Sequence, residues 1–121
     1  MDNLLQIEPT RIERDLLGEK QIPLHSYYGI HTLRAIENFK ISGLAVGQQP
    51  HFIRALAQVK KASAQANLHF KKLPEQTSLV IQKACDELIQ HPEAWQSAFP
   101  LDPYQGGAGT SINMNANEVI A

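Results

Sequence analysis

Gln105-Gly106-Gly107-Ala108-Gly109-Thr110-Ser111 is the segment whose residue types and order could do chemistry. Its glycines let backbone approach a ligand closely, because no side chain stands in the way. A helix beginning where this run ends would present amides with no intrahelical partner and a partial positive charge. Such a helix start suits a carboxylate or a phosphate. Thr110 and Ser111 add hydroxyl donors at the same place, and Asn113 follows in the first turn. No lysine follows Gly109, so this is not a Walker loop. Nothing in the run is a nucleophile beside a base. The residues alone leave two readings open. One is a site for a small anion. The other is a flexible loop followed by ordinary capping through Thr110, Ser111 or Asn113.

The remaining reactive residues are less organised. The five histidines show no metal-ligand spacing, and no metal site is expected. His31, between Gly29 and Thr32, is the histidine to follow; the others read as surface or structural. Glu8/Glu13 and Asp86/Glu87 read as solvated charge rather than an acid–base dyad. Cys85 is the only cysteine, so no internal disulfide can form, and its apolar setting reads as a buried small hydrophobe. Asn113, Asn115 and Asn117 alternate where a helix should run, and asparagine is a poor interior helix former. Buried amide hydrogen bonds to neighbouring chains or a ligand would offset that cost; a frayed, solvated first turn is the alternative.

The elements that must position these residues are mostly helical. Residues 1–10 read as a loose leader. Apolar residues flank the turn candidate Gly18-Glu19, so 11–23 reads as a short hairpin or two irregular strands. Ile30, Leu33, Ile36 and Phe39 mark one face of a helix over Ile30–Phe39. Ser42–Gln49 is loop. His51–Phe70 is the strongest helix, with Phe52, Leu56, Val59, Ala62, Ala66 and Phe70 as its buried face. Pro74–Gln90 follows, burying Leu79, Ile81, Ala84, Cys85, Leu88 and Ile89, and stops at His91-Pro92. Glu93–Ala98 makes one more turn, Phe99–Thr110 is irregular, and a helix begins at Ser111 with no stop signal before Ala121.

With 121 residues, 43% hydrophobic and 19% charged, the chain is ordinary globular material of one small domain. A formal net charge of −1 argues against a general nucleic-acid binder. No stretch approaches the roughly 20 apolar residues of a membrane span. Met1–Ile7 does not read as a signal peptide, so the cytoplasm is the expected location.

Two stretches resemble the fumarase/aspartase superfamily. The first is Arg11-Ile12-Glu13-Arg14-Asp15-Leu16-Leu17-Gly18, then Pro23, Tyr27-Tyr28-Gly29-Ile30-His31-Thr32-Leu33-Arg34-Ala35 and Glu37-Asn38-Phe39. The second runs from Tyr104 through Asn115, with Asn117-Glu118-Val119. Val59-Lys60-Lys61-Ala62, Ala66-Asn67 and Ala84-Cys85-Asp86-Glu87 are similar in register between them. His31-Thr32-Leu33-Arg34 and Ala108-Gly109-Thr110-Ser111 resemble the aspartate ammonia-lyase branch, since fumarases typically carry Q-T-Q-R and S-G-T-Q there.

The resemblance implies a mainly α N-terminal domain of the fumarase/aspartase-like fold, with a short β-hairpin. It divides the chain into the leader 1–10, a helical domain over 11–110, and 111–121 as the cut start of a central helix bundle. It implies a cytoplasmic homotetramer whose active sites combine several subunits. The reaction is reversible deamination of L-aspartate to fumarate and ammonia, with no cofactor. Thr110 falls on the substrate-contacting threonine, with Ser111 and Asn113 beside it. The base, a serine on a mobile G-S-S-x-M-P-x-K-x-N loop, has no counterpart in these residues, so no catalytic group is expected here and the piece alone should be inactive. A fumarase is the alternative within the superfamily; a stand-alone binding domain is the alternative outside it. A truncated chain would expose Ile112, Val119 and Ile120.

Overall fold

The computed structural model describes residues 8–121. Most of the leader, and the absence of a signal peptide in Met1–Ile7, lie outside the described residues. The leader ends earlier than expected, because Thr10 already belongs to a strand.

Strands β1 (Thr10–Asp15) and β2 (Gly18–Pro23) form an antiparallel hairpin with Asp15 opposite Gly18. The turn is therefore Leu16-Leu17, not the expected Gly18-Glu19. The Leu17 amide donates to Asp15 Oδ1 at 2.8 Å and closes it. Ile22 is the residue this hairpin buries completely.

Helix α1 covers Ile30–Asn38, as its periodicity predicts. Its buried residues are Ile30, Thr32 and Ala35, whereas Leu33, Ile36 and Phe39 are half-buried. The expected face is rotated because α1 lies between the hairpin and the last helix and must serve both.

Helices α2 (Pro50–His69) and α3 (Glu75–Gln90) pack along each other. Pro50 stands at the first helical position, where its missing N–H costs nothing. Both helices occur as expected, but α2 buries a different face: Ile53, Ala57 and Ala64. Phe52, Val59 and Phe70 are exposed, at 43%, 64% and 69%. Two apolar stripes run along α2, and α3 covers the one with small residues. Ala57 and Ala64, with Ser78 and Cys85 of α3, let the two backbones approach, and Ser78 Oγ donates to the Ala64 carbonyl at 3.0 Å. Close approach brings more atoms into contact than a bulky seam would. On α3, Cys85 and Leu88 are buried as expected, while Leu79 is half-exposed.

A 3-10 turn over Pro92–Ala98 matches the expected extra turn. The irregular segment after it threads the interior. Phe99 joins Ile53, Ala57, Cys85, Leu88 and Ala116 in one cluster; Leu101 joins Ala35, Val46 and Ile112 in another. Its carbonyls are not wasted: Phe99 and Leu101 accept from Gly47 and Val46, at 2.9 and 2.7 Å. Full burial of a side chain such as Phe99 is worth about 2–3 kcal/mol.

Helix α4 covers Thr110–Ile120. Ile112 is buried, and Val119 and Ile120 pack against the Phe99 cluster. Ile112 is therefore not exposed as expected, and Val119 and Ile120 are half-buried rather than open. The exposed large apolar residues lie on the hairpin (Ile12, Leu16, Leu17), on loops, and on α2 and α3 (Phe52, Val59, Leu79, Val80). No helix among the described residues is long and apolar enough to cross a membrane.

Candidate functional site

The glycine-rich run is held at its entrance by one carboxylate. Asp102 Oδ1 accepts from the Tyr104 amide at 2.9 Å. Its Oδ2 accepts from the Ser42 amide, the Ser42 hydroxyl and the Ile41 amide at 2.6, 3.0 and 3.1 Å. Burial alone would raise the Asp102 pKa, but these donors outweigh it and hold the carboxyl at about 2. Asp102 thus stays ionised and ties the run to the chain that leaves α1. Further along, Gly106 lies against the Phe39 ring.

Gly109 turns the chain into α4 with φ +74°, a conformation costly for any residue with a Cβ. Gly109 is also the N-cap, and no side chain caps the helix. The expectation that Thr110, Ser111 or Asn113 would cap is thereby corrected. Thr110 is the first helical residue, one position earlier than predicted, so its hydroxyl and Ser111's start inside the helix. The first-turn amides keep no side-chain acceptor, as an anion site requires.

Thr110 is exposed, Ser111 half-buried and Asn113 exposed. Ser111 lines an open cleft of about 490 Å³ with His31, Arg34, Asn38, Phe39 and Leu17. The histidine singled out in the sequence therefore shares this cleft with Ser111 at the end of the glycine-rich segment. Thr110 does not line this cleft, and Asn113 points elsewhere: its Oδ1 accepts from Lys60 Nζ at 2.5 Å. A groove of similar size, lined mostly by apolar residues such as Val46, Phe52, Ala55 and Ile112, has Gln49 and His51 as its polar members.

Arg34 is not a free cation in the cleft. Its Nε and Nη2 donate to the two Asp15 oxygens at 2.7 and 2.8 Å. The Arg34 hydrogen bonds hold Asp15 below the usual carboxylate range, and the same bonds raise Arg34. The Arg34 charge is therefore largely offset by Asp15 of the hairpin.

Of the three asparagines, Asn115 is buried and its Nδ2 donates to the Ala98 carbonyl at 2.9 Å. Its Oδ1 has no partner among the described residues. Asn113 and Asn117 are exposed. The acidic pairs read as solvated charge also divide: Asp86 pairs with Lys61 at 2.6 Å, whereas Glu13 has a structural task.

That task is at the start of α1, which sequence reasoning missed. Glu13 Oε2 accepts from the Ile30 amide at 2.8 Å. Glu118 Oε1 accepts from the Thr32 amide at 2.8 Å and from its hydroxyl at 3.0 Å. A Cβ at Gly29 would collide with Glu118 Oε2 and stand 2.7 Å from Glu13 Oε2. A signal was present: a helix opening on glycine with no Ser, Thr, Asp or Asn beside it needs a cap from elsewhere.

The lyase family model matches residues 18–121. Aspartate ammonia-lyase from Corynebacterium glutamicum is 55% identical over 111 residues, covering 92% of this chain and 21% of that protein. A crystal structure of fumarate lyase:delta crystallin from Brucella melitensis superposes with a TM-score of 0.87 at 52% identity, covering 93% of this chain and 26% of that one. Class II fumarase from Schistosoma mansoni gives a TM-score of 0.80 at 32% identity, covering 93% and 23%. The chain thus spans between about a fifth and a quarter of the length of the proteins it matches. With all four helices and the glycine-rich run inside the matched residues, the chain belongs to the lyase family and to the fumarase/aspartase superfamily.

Proposed function

We propose that the chain is part of an aspartate ammonia-lyase and supplies one wall of its active site. The supporting observation is the start of α4, where first-turn amides and the Thr110 hydroxyl stand together with no side-chain cap. These donors hold a carboxylate of L-aspartate. A base takes the proton from the β-carbon, and the electrons of that C–H bond pass into the neighbouring carboxylate as negative charge. That charge then collapses to form the C=C bond of fumarate as the C–N bond breaks and ammonia leaves. A helix start aimed at this carboxylate lowers the barrier, because it binds the developing charge more strongly than the ground state.

Thr110 carries the main contact and Ser111 a second one from the cleft side. Asn113 contributes least, since Lys60 already occupies its amide oxygen. The base and the amino-group pocket come from residues outside these 121 and from other subunits of a cytoplasmic homotetramer. The segment by itself has no activity. No cofactor enters the reaction.

The test is absorbance of fumarate formed by the full-length enzyme from L-aspartate and from L-malate. Turnover of aspartate is expected; turnover of malate alone makes the protein a fumarase. Thr110→Val should lower kcat/KM about ten- to a hundredfold, the worth of a hydrogen bond to a charged group. An unchanged kcat/KM removes Thr110 from the site.

A further inference from the structure

Helices α1 and α4 lie side by side and run in opposite directions. At one end, the Phe39 ring, just past α1, lies beside Gly106, and Ser111 shares a cleft with α1 residues. At the other end, Glu118 reaches the first turn of α1. Between the ends, Ala35, Ile36, Phe39 and Ile112 make apolar contact. Apolar contact attracts without direction and tolerates sliding. The Glu118 carboxylate does not: it accepts two bonds from Thr32, which is fully buried, and it occupies space that a Cβ at Gly29 would fill.

We propose that Glu118 is a positioning residue for the substrate site. Its carboxylate sets how far along α1 the start of α4 stands, and so where Thr110 and Ser111 meet the substrate. The proposal rests on the reading of Thr110 and Ser111 given above. The two ends are joined by a rigid rod: Thr110 and Glu118 belong to one 11-residue helix with no break. An α-helix rises 1.5 Å per residue, so even a shift of less than one residue moves the donors by about 1 Å. A misplacement of that size can cost up to about a hundredfold in rate. Glu13 completes the arrangement by anchoring β1 to the same helix start, so hairpin, α1 and α4 share one junction.

The experiment uses the full-length enzyme and measures kcat, KM and fumarate affinity for Glu118→Ala, Thr32→Val and Thr32→Ser. Glu118→Ala should lower kcat at least about tenfold while assembly is retained. Thr32→Val keeps the amide and removes the hydroxyl, so it should give a smaller loss in the same direction. Thr32→Ser restores the hydroxyl and should return kcat to near the wild-type value. A purely structural role would lower the melting temperature and leave the kcat, KM and fumarate affinity of the folded enzyme unchanged; that result overturns the proposal. If Glu118→Ala does not fold, the Thr32 pair decides: equal kcat in Thr32→Val and Thr32→Ser overturns it. Kinetics are read on whichever dicarboxylate is turned over, so a malate-only enzyme defeats the aspartase assignment without touching this one. An enzyme that neither turns over nor binds a dicarboxylate defeats both.

Discussion

The α2–α3 pair and the α1–α4 pair are built on opposite plans. Helices α2 and α3 have 20 and 16 residues, follow each other in the chain, and meet through Ala57, Ala64, Ser78 and Cys85. Helices α1 and α4 have 9 and 11 residues and come from distant parts of the chain; Thr32 and Glu118 are 86 positions apart. The long pair has enough surface to be held by packing. The short pair does not, and is aligned by hydrogen bonds to a carboxylate. The candidate site lies on the short pair. Packing supplies stability, whereas directed bonds supply the placement that chemistry needs.

The sharpest way to break that contrast is to damage the long pair. Ile53 is fully buried between α2 and its neighbours. Ile53→Ala should cost about 2–5 kcal/mol in urea unfolding of the full-length protein. The kcat of the molecules that remain folded should not change. A parallel fall in kcat would mean that the scaffold and the site are not separable.

Gly29→Ala attacks the short pair. Its methyl group collides with Glu118, and overpacking of this kind costs about 1–3 kcal/mol. Here kcat should fall along with stability. Adding Glu118→Asp, whose shorter side chain withdraws the carboxylate, should recover part of the loss in stability. A double-mutant cycle reads this as a coupling between the two positions; strict additivity would show that they do not communicate.

Acid should strike the directed bonds before the packing. Asp102 titrates at about 2 in the folded chain, below its ordinary value of 3.8, so the folded state binds its proton less readily than the unfolded state. The stabilisation is complete above the ordinary value and is lost as pH falls through about 4 to about 2. Asp15 and Glu37 are also lowered and act in the same sense. Melting temperatures followed across that range should drop, and Asp102→Asn should flatten part of the drop. An unchanged slope in the variant would remove Asp102 from the account.

The smallest effect belongs to Lys61, whose pair with Asp86 bridges α2 and α3 near solvent. Lys61→Ala should change stability by less than about 1 kcal/mol in the same urea assay. A larger loss would give the long pair an ionic component that packing does not require.

Legibility followed the same division. All four helices stand within a residue or two of where periodicity and proline placement put them, because those signals are local. Cys85 is buried as its apolar setting implies. The faces were harder. The 3–4 spacing of Phe52, Leu56, Val59, Ala62, Ala66 and Phe70 is a genuine apolar stripe, yet all of it but the half-buried Leu56 is exposed, because α3 packs on the smaller Ala57 and Ala64 instead. Which of two apolar stripes is covered depends on what the neighbouring element presents. In the site, the glycine-rich run and the helix after it were readable. The capping by Gly109, the diversion of Asn113 to Lys60, and the cleft that His31 and Ser111 share were not.

Local order therefore determined the elements: where helices start, where glycine must bend the chain, and which segment carries exposed donors. Hydrogen bonding and side-chain bulk act over a few residues, so a linear reading contains them. Only the tertiary structure decided that Glu13 and Glu118 would cap α1, and that Asp102 would anchor the glycine-rich run. Those choices are made when distant carboxylates leave water for buried amides. Their energy depends on desolvation and on distances that no spacing along the chain encodes.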